Sequence, residues 1–240
     1  MKVFYIHVPK TGGTSIKKAL VDHDGVVTES SSCIKNHPIF HRHHLKVMNF
    51  KMSNVCRFRE ILGETLWETL WKVAFVRNPW DRYVSNWHWL TRKEAAYPKK
   101  GWKARGWRGE DGQISFENFV KQTSQCYIEL NRLHGYQHDK WHLRNQLDHL
   151  VDANGKLLVD HIARFENMEE GFSLLCRKAD LAEIELPYLN HSGHFSGEVK
   201  TGPPSTIHYS SFYTPELVEI VSARCLPDIE AFGYEFEWKK

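Results

Sequence analysis

The sequence predicts an α/β fold, with a P-loop-like parallel sheet flanked by helices in one domain. Two short apolar runs, residues 3–8 and 72–76, each end at a loop that contains a proline. Helical spacing of apolar residues follows each loop. Because parallel strands need a crossover connection, which is usually a helix, two strand-loop-helix units predict a parallel sheet.

Further apolar runs extend this alternation along the chain. The predicted strands are residues 3–8, 72–76 and 157–163, and the predicted helices are residues 14–21, 53–71, 80–90 and 168–179, with a last helix that begins near Pro215. Residues 91–114 are rich in Gly, Lys, Arg and Trp and lack periodicity, which indicates a mobile surface loop or lid. Residues 190–211, rich in Gly, Ser and Pro, predict a second long loop.

Composition fits one globular domain over residues 1–240, since 41% of the residues are hydrophobic and no repeat or linker divides the chain. The formal charge of +3 suits anionic ligands. Five scattered cysteines without CxxC spacing indicate a reducing compartment. Residues 1–6 resemble a short buried strand, not a charged segment before an apolar secretory core, and no apolar run reaches about 20 residues. We therefore expect a cytoplasmic protein without a signal peptide or a membrane span.

The first candidate site is the nonapeptide HVPKTGGTS at residues 7–15, where the first strand turns into a helix. Its two glycines let backbone amides approach an anion, and the helix N-terminus favours negative charge. Lys10 precedes the glycine pair, unlike the lysine of an NTP-binding P-loop. A capped Gly-Gly turn is the alternative interpretation. The candidate anion-binding residues are Pro9, Lys10, Thr11, Gly12, Gly13, Thr14 and Ser15.

The second candidate site is the segment FVRNPWDRYVS at residues 75–85. Arg77 follows a predicted strand and can bind a phosphate with two parallel hydrogen bonds, while Ser85 lies two turns into the next helix. The alternative is a structural arginine paired with Asp81 and a serine that faces its own helix.

The two motifs together, about sixty residues apart, resemble those of sulfotransferases that use 3'-phosphoadenosine-5'-phosphosulfate (PAPS). The resemblance is closest to the carbohydrate branch that contains the heparan 2-O-sulfotransferases and their bacterial relatives. It extends to three later segments, RFEN at residues 164–167, LPYLN at 186–190 and DIEAFGY at 228–234.

The resemblance implies a role for each motif. In that family the first loop binds the 5'-phosphosulfate, and Lys10 would stabilise the bridging oxygen of the leaving phosphate. Arg77 and Ser85 would bind the 3'-phosphate, and Lys200 and Tyr209 would close over the nucleotide. The product would be 3'-phosphoadenosine-5'-phosphate (PAP), and no metal ion is required.

An acceptor hydroxyl must lose a proton, and histidine is the expected general base. The cluster at residues 41–44 lies where the family's base tends to lie, so we predict His44, with His43 second. A surface cluster is the alternative, and a metal site lacks a convincing acidic or cysteine ligand.

Acceptor recognition is predicted for residues 92–108, which contain seven basic residues, one acid and three aromatics. Such residues bind acidic groups and stack on sugar rings, although a solvated lid or a single-stranded nucleic-acid site would use the same types. The candidates are Arg92, Trp102, Arg105 and Trp107, and the resemblance adds Gln146.

The predicted function is transfer of a sulfuryl group from PAPS to a hydroxyl of an acceptor, a carbohydrate that can itself be anionic. A kinase that uses ATP and a noncatalytic module that binds glycans or nucleic acid are the alternatives. Nucleic acid is not the expected partner, and the sequence leaves the oligomeric state open.

Overall fold

A computed structural model describes residues 2–20, 26–27, 55–96, 114–125, 142–182, 184–187 and 207–239. The chain divides into two compact units, each made of two segments. The first unit comprises Met1–Arg77 and Gln146–Leu189, and the second comprises Asn78–Asn145 and Asn190–Lys240. The single domain expected from the sequence stays a prediction.

The strands and helices alternate in the first unit, which contains the sheet. The strands are β1 (Val3–Ile6), β2 (Val26–Val27), β3 (Trp71–Val76) and β4 (His161–Arg164). In chain order the helices are α1 (Gly13–Leu20), α2 (Val55–Leu62), α3 (Glu64–Thr69), α4 (Pro79–Ala96), α5 (Phe116–Gln125), α6 (Met168–Ala179), α7 (Pro215–Arg224) and α8 (Leu226–Phe232). Short 3₁₀ helices cover Leu147–His149, Phe165–Asn167 and Tyr209–Phe212.

The sheet is parallel, with the strand order β2-β1-β3-β4. Val3 pairs with Trp71, and Val73 pairs with His161, so β3 is an inner strand. The observed strands confirm the α/β class predicted from the apolar runs.

Helices cover both faces of this sheet, which explains why its strands are continuous apolar runs. On one face Tyr5 and Phe75 belong to a buried cluster with Ile16 of α1 and Phe172 of α6. On the other face Phe4 meets the rings of α2 and α3, with centroids 5.2 Å from Phe58 and 5.7 Å from Trp67. Burying each such side chain contributes about 1.5–3 kcal/mol.

Several boundaries differ from the sequence predictions. The strand predicted over residues 157–163 begins later, since β4 covers His161–Arg164. The helix predicted over residues 53–71 is divided into α2 and α3 at Gly63, whose φ of 75° lies in the left-handed region. The loop predicted from residue 91 begins later, because α4 continues to Ala96 through Arg, Lys, Glu and Ala, which favour helix. Residues 97–113 of that loop lie outside the described residues.

The second unit packs its helices around aromatic rings. Tyr83 of α4 lies 5.9 Å from Phe119 of α5, measured between ring centroids, and Trp87 lies 5.6 Å from Phe116. The α5 helix was not predicted. The last predicted helix is confirmed by α7, which has Pro215 in its first turn and the Thr214 hydroxyl as the N-terminal cap.

A buried arginine forms the polar centre of the second unit. Arg82 on α4 is 1% exposed, and its Nη1 lies 3.8 Å from Oδ2 of Asp228, which is fully buried in α8. Its Nη2 donates to the carbonyl oxygens of His142 at 2.9 Å and Arg144 at 2.7 Å. Arg82 therefore connects α4 and α8 to the segment 142–144.

Candidate anion site at the carboxyl edge of the sheet

The loop of the first motif joins β1 to α1, and Arg77 follows β3 directly. Because β1 and β3 are parallel neighbours, with Ile6 paired to Ala74, both segments leave the sheet at its carboxyl edge. Ligands of open α/β sheets bind at this edge. The loop and Arg77 therefore lie at the same edge of the sheet within the first unit.

The loop is held together by its own hydrogen bonds. The Thr11 hydroxyl donates to the Val8 carbonyl at 2.9 Å, and the amides of Ser15 and Ile16 donate to the Gly12 carbonyl at 3.0 and 3.3 Å. Of the predicted anion-binding residues, Thr14 is exposed, Lys10 and Gly12 are half-buried, and the buried ones are Pro9, Thr11, Gly13 and Ser15.

Neither glycine of the loop leaves room for a side chain. Gly12 has a φ of 80°, and a Cβ there would overlap Met168 and lie 3.2 Å from the Phe165 ring. A Cβ on Gly13 would overlap the His7 ring and lie 2.9 Å from the Tyr5 hydroxyl. The loop backbone at Gly12 and Gly13 is therefore closely packed against these side chains, which holds the loop amides in place.

Lys10 adopts a left-handed conformation, with a φ of 69°. For a residue with a side chain this conformation costs about 1–2 kcal/mol, and such strain is concentrated at functional sites. Nη1 of Arg77 donates to the Lys10 carbonyl at 3.2 Å, which stabilises the strained peptide. This bond connects the loop to the second motif.

The Arg77 guanidinium lies over the Phe165 ring, with Cζ 4.2 Å from the ring centroid. Arg77 is 9% exposed. Phe165 belongs to the RFEN segment, so this segment packs against both Arg77 and Gly12.

Gln146 is fully buried beside Arg77. Its Oε1 accepts from the Arg77 amide at 2.8 Å, and its Nε2 donates to the Arg77 carbonyl at 2.8 Å. The family resemblance predicts contact of Gln146 with the acceptor, and that role stays a prediction. No local pattern could indicate the observed contact, because the two residues are 69 positions apart.

His7 is a further residue of the site, and the sequence analysis gave it no role. Its Nδ1 lies 3.2 Å from Nζ of Lys17, and its ring stacks on Tyr5 with centroids 6.4 Å apart. The only sequence signal was its place at the start of the motif.

Two predicted nucleotide-binding residues lie in the second unit. Ser85 is on α4 and is 7% exposed. The Tyr209 hydroxyl accepts from the Glu237 amide at 3.0 Å and from Nδ2 of Asn78 at 3.4 Å, and burial raises the pKa of Tyr209. The structure thus connects Tyr209 to the C-terminal segment, and its role beside a nucleotide stays a prediction.

Several predicted residues lie outside the described ranges. These are the two candidate bases, His43 and His44, the nucleotide residue Lys200, and the acceptor residues Trp102, Arg105 and Trp107. The backbone of Arg92 lies in α4, and its side chain is not described. The general base and the basic aromatic segment therefore stay predictions.

The loop and the residue after β3 bring two cationic residues, Lys10 and Arg77, to one edge of the sheet, beside the first amides of α1. Such groups bind phosphate and sulfate oxygens and stabilise charge that develops on a leaving group. Among the described residues, no group of three or more His, Cys, Asp or Glu is placed to hold a metal ion. No helix in that part of the chain combines the length and hydropathy needed to cross a bilayer.

Comparison with known proteins gives one match. A family model described as "Sulfotransferase family" matches residues 1–235, which includes segments of both units. No curated protein and no solved structure matches the chain.

Proposed function

The chain belongs to the sulfotransferase family, and from this premise we propose that it transfers the sulfuryl group of PAPS to a hydroxyl of a carbohydrate acceptor. The observation that carries the proposal is the bond between Arg77 and the Lys10 carbonyl, which joins two cationic motifs at one edge of the sheet. A donor with two anionic groups matches a site with two cationic motifs.

The donor is proposed to bind with its 5'-phosphosulfate on the loop from Pro9 to Ser15. Arg77 and Ser85 are proposed to bind the 3'-phosphate, and Lys200 and Tyr209 to contact the nucleotide. The chemistry of these groups supports the assignment, because amides, hydroxyls and cations are the usual partners of phosphate oxygens.

The proposed reaction is an in-line displacement at sulfur. The acceptor oxygen forms a bond to sulfur while the bond from sulfur to the bridging phosphate oxygen breaks, and its electron pair stays on PAP. Lys10 and the loop amides stabilise the charge that develops on the bridging oxygen. His44, with His43 as the second candidate, takes the proton of the acceptor hydroxyl. Because a sulfuryl group has less negative charge than a phosphoryl group, these cations can act without a metal ion.

The acceptor is proposed to be a carbohydrate, which can be anionic, as in the heparan 2-O-sulfotransferase branch that the motifs resemble. The basic and aromatic residues that we propose to contact it are Arg92, Trp102, Arg105 and Trp107. They suit sugar rings and acidic substituents. The scattered cysteines support a cytoplasmic location as part of the same proposal.

Calorimetric titration with PAP, beside ATP with magnesium, tests the donor. We expect PAP to bind and ATP to bind far more weakly, because only PAP has the 3'-phosphate that Arg77 would recognise. Transfer from PAPS to a panel of neutral and anionic glycans then tests the acceptor class. A preference for ATP would indicate phosphoryl transfer, and failure to bind either nucleotide would indicate a noncatalytic protein; both results overturn the proposal.

A further inference from the structure

The Gln146 side chain takes the place of a strand neighbour for Arg77. The pairing of β3 with β4 ends at Val76 and Arg164, so Arg77 lies one residue beyond the paired strands. The carboxamide of Gln146 accepts from the Arg77 amide and donates to the Arg77 carbonyl, both at 2.8 Å. A single side chain thus forms two bonds of the kind that a neighbouring strand forms.

These two bonds hold the main chain of Arg77, and so they fix the position from which its side chain extends. With both main-chain groups of the residue held, the direction of its Cα–Cβ bond is restricted. The guanidinium then reaches the Phe165 ring, 4.2 Å away, and the Lys10 carbonyl at 3.2 Å. Gln146 is 0% exposed, so its own side chain has little freedom to leave this geometry.

We propose that Gln146 is a positioning residue for Arg77, and that it thereby sets the preference of the site for a nucleotide with a 3'-phosphate. This inference rests on the proposed function, since it assumes that Arg77 binds that phosphate. A fixed guanidinium loses less freedom when it binds, and small displacements weaken bidentate hydrogen bonds. The proposal differs from direct contact of Gln146 with the acceptor.

The test compares two ligands that differ only in the 3'-phosphate, PAP and adenosine 5'-phosphate. The dissociation constant of adenosine 5'-phosphate divided by that of PAP, both measured by calorimetry, gives the preference for the 3'-phosphate. In Gln146→Met, which has similar length but neither hydrogen-bonding group, we expect this ratio to fall about tenfold, through weaker binding of PAP. Adenosine 5'-phosphate should bind as it does to the original protein.

Asn145→Leu is the matched control, because it also replaces a buried amide by an apolar group of similar size. Asn145 is 8% exposed, and its Oδ1 accepts from Nη1 of Arg224 at 3.2 Å. Thermal unfolding of both variants shows how much each loses in stability. We expect Asn145→Leu to lose stability and keep the nucleotide preference.

Gln146→Glu supplies a second variant with a pH readout. An ionised carboxylate accepts from the Arg77 amide but repels the Arg77 carbonyl, whereas a protonated carboxyl donates to that carbonyl as the amide does. Burial raises the pKa of a carboxyl group, so the buried carboxylate of Gln146→Glu should gain its proton at a higher pH than an exposed one. Relative to the original protein at each pH, the preference should be low at neutral pH and recover in acid.

The outcomes separate this inference from the proposed function. If the original protein prefers PAP and folded Gln146→Met prefers it equally, the positioning role is wrong while the proposed function stands. If Gln146→Met only raises the KM of the acceptor, Gln146 contacts the acceptor, and the positioning role is wrong. If the original protein does not prefer PAP, the proposed function fails and this inference fails with it. Should Gln146→Met not fold, the pH dependence of Gln146→Glu decides.

Discussion

Two arginines of one motif, Arg77 and Arg82, lie in different units and have different kinds of partner. Arg77 contacts the Lys10 carbonyl and the Phe165 ring at the edge of the sheet in the first unit. Arg82 pairs with the buried Asp228 inside the second unit, where burial lowers its pKa against the opposing effect of that carboxylate. Both residues are more than nine-tenths buried, at 9% and 1% exposure.

If Arg77 binds the 3'-phosphate as proposed, burial alone does not separate a binding arginine from a structural one. A carboxylate in the interior compensates the charge of Arg82, and three main-chain or acidic partners from distant segments make it part of the core. Arg77 instead lies beside a strained loop with a second cation. The nature of the partner is therefore the more useful criterion.

The largest effect that would test this contrast is expected for Arg82→Met. Removing the guanidinium leaves the carboxylate of Asp228 buried without its ion pair, which should cost about 3–5 kcal/mol of the free energy of unfolding. Chemical denaturation measures the loss. In the double variant Arg82→Met with Asp228→Leu, part of the stability should return, and a strictly additive loss would contradict the pairing.

Lys10→Ala should have the next largest effect, on turnover. If Lys10 stabilises the leaving oxygen, kcat falls about 10²–10³-fold, while the KM for PAPS changes little, because the bridging oxygen gains its charge only as the bond breaks. Steady-state kinetics with PAPS measures the change. Lys18→Ala, on an exposed position of α1, removes the same charge nearby and should turn over normally. Normal turnover of Lys10→Ala would remove Lys10 from the mechanism.

Arg77→Met sharpens the contrast with Arg82, because its main cost should fall on binding. Loss of charge-assisted bonds to the 3'-phosphate should weaken PAP binding about 10–100-fold. The free energy of unfolding should fall by about 2–3 kcal/mol, for the lost cation–π contact and the lost hydrogen bond to the Lys10 carbonyl, which is less than for Arg82→Met. Calorimetry and denaturation give the two numbers. A stability loss like that of Arg82→Met, with PAP binding intact, would break the comparison.

The smallest effect concerns His208, at the start of the 3₁₀ helix of the second unit. Its Nδ1 lies 2.9 Å from the Ser210 hydroxyl and accepts from the Ser210 amide at 3.4 Å. Burial, with a contribution from Lys239, lowers the pKa of His208 from 6.5. The folded state thus disfavours the proton, so this contribution to stability is present above about pH 6.5 and declines as the pH falls through the folded pKa.

Denaturation at neutral and mildly acid pH measures that contribution. His208→Asn keeps a capping acceptor but does not titrate in this range, so its stability should fall less on acidification. Equal pH dependence of the two proteins would show that His208 contributes nothing to it.

The fold could be predicted largely from local patterns. The α6 helix matches the predicted residues 168–179, and two predicted strands coincide with β1 and β3 to within two residues, because apolar periodicity extends over whole elements there. The break at Gly63 was missed, since flanking apolar residues kept helical spacing across it. The α5 helix was also missed, although Phe116, Phe119 and Val120 have helical spacing, because its last turn is polar.

The candidate site was predictable only where its residues are close in the chain. The loop at residues 7–15 is a continuous motif, so its location could be read directly. The contacts of Arg77 could not be predicted in this way, because Phe165, Gln146 and the Lys10 carbonyl come from three segments distant from Arg77 in the chain. Which distant groups meet depends on the packing of the sheet, and a single sequence has no local signal for it.

The interleaved order of the two units has a consequence while the chain is being synthesised. β4 and Gln146 belong to the first unit, but the ribosome makes them only after the segment 78–145. Synthesis of residues 77–164, which completes β4, takes roughly 4–18 s at about 5–20 residues per second. During that interval β3 waits for its β4 partner, and an unpaired strand edge can associate with other chains. The order of segments in the gene therefore sets a period in which one edge of the nascent sheet stays unpaired.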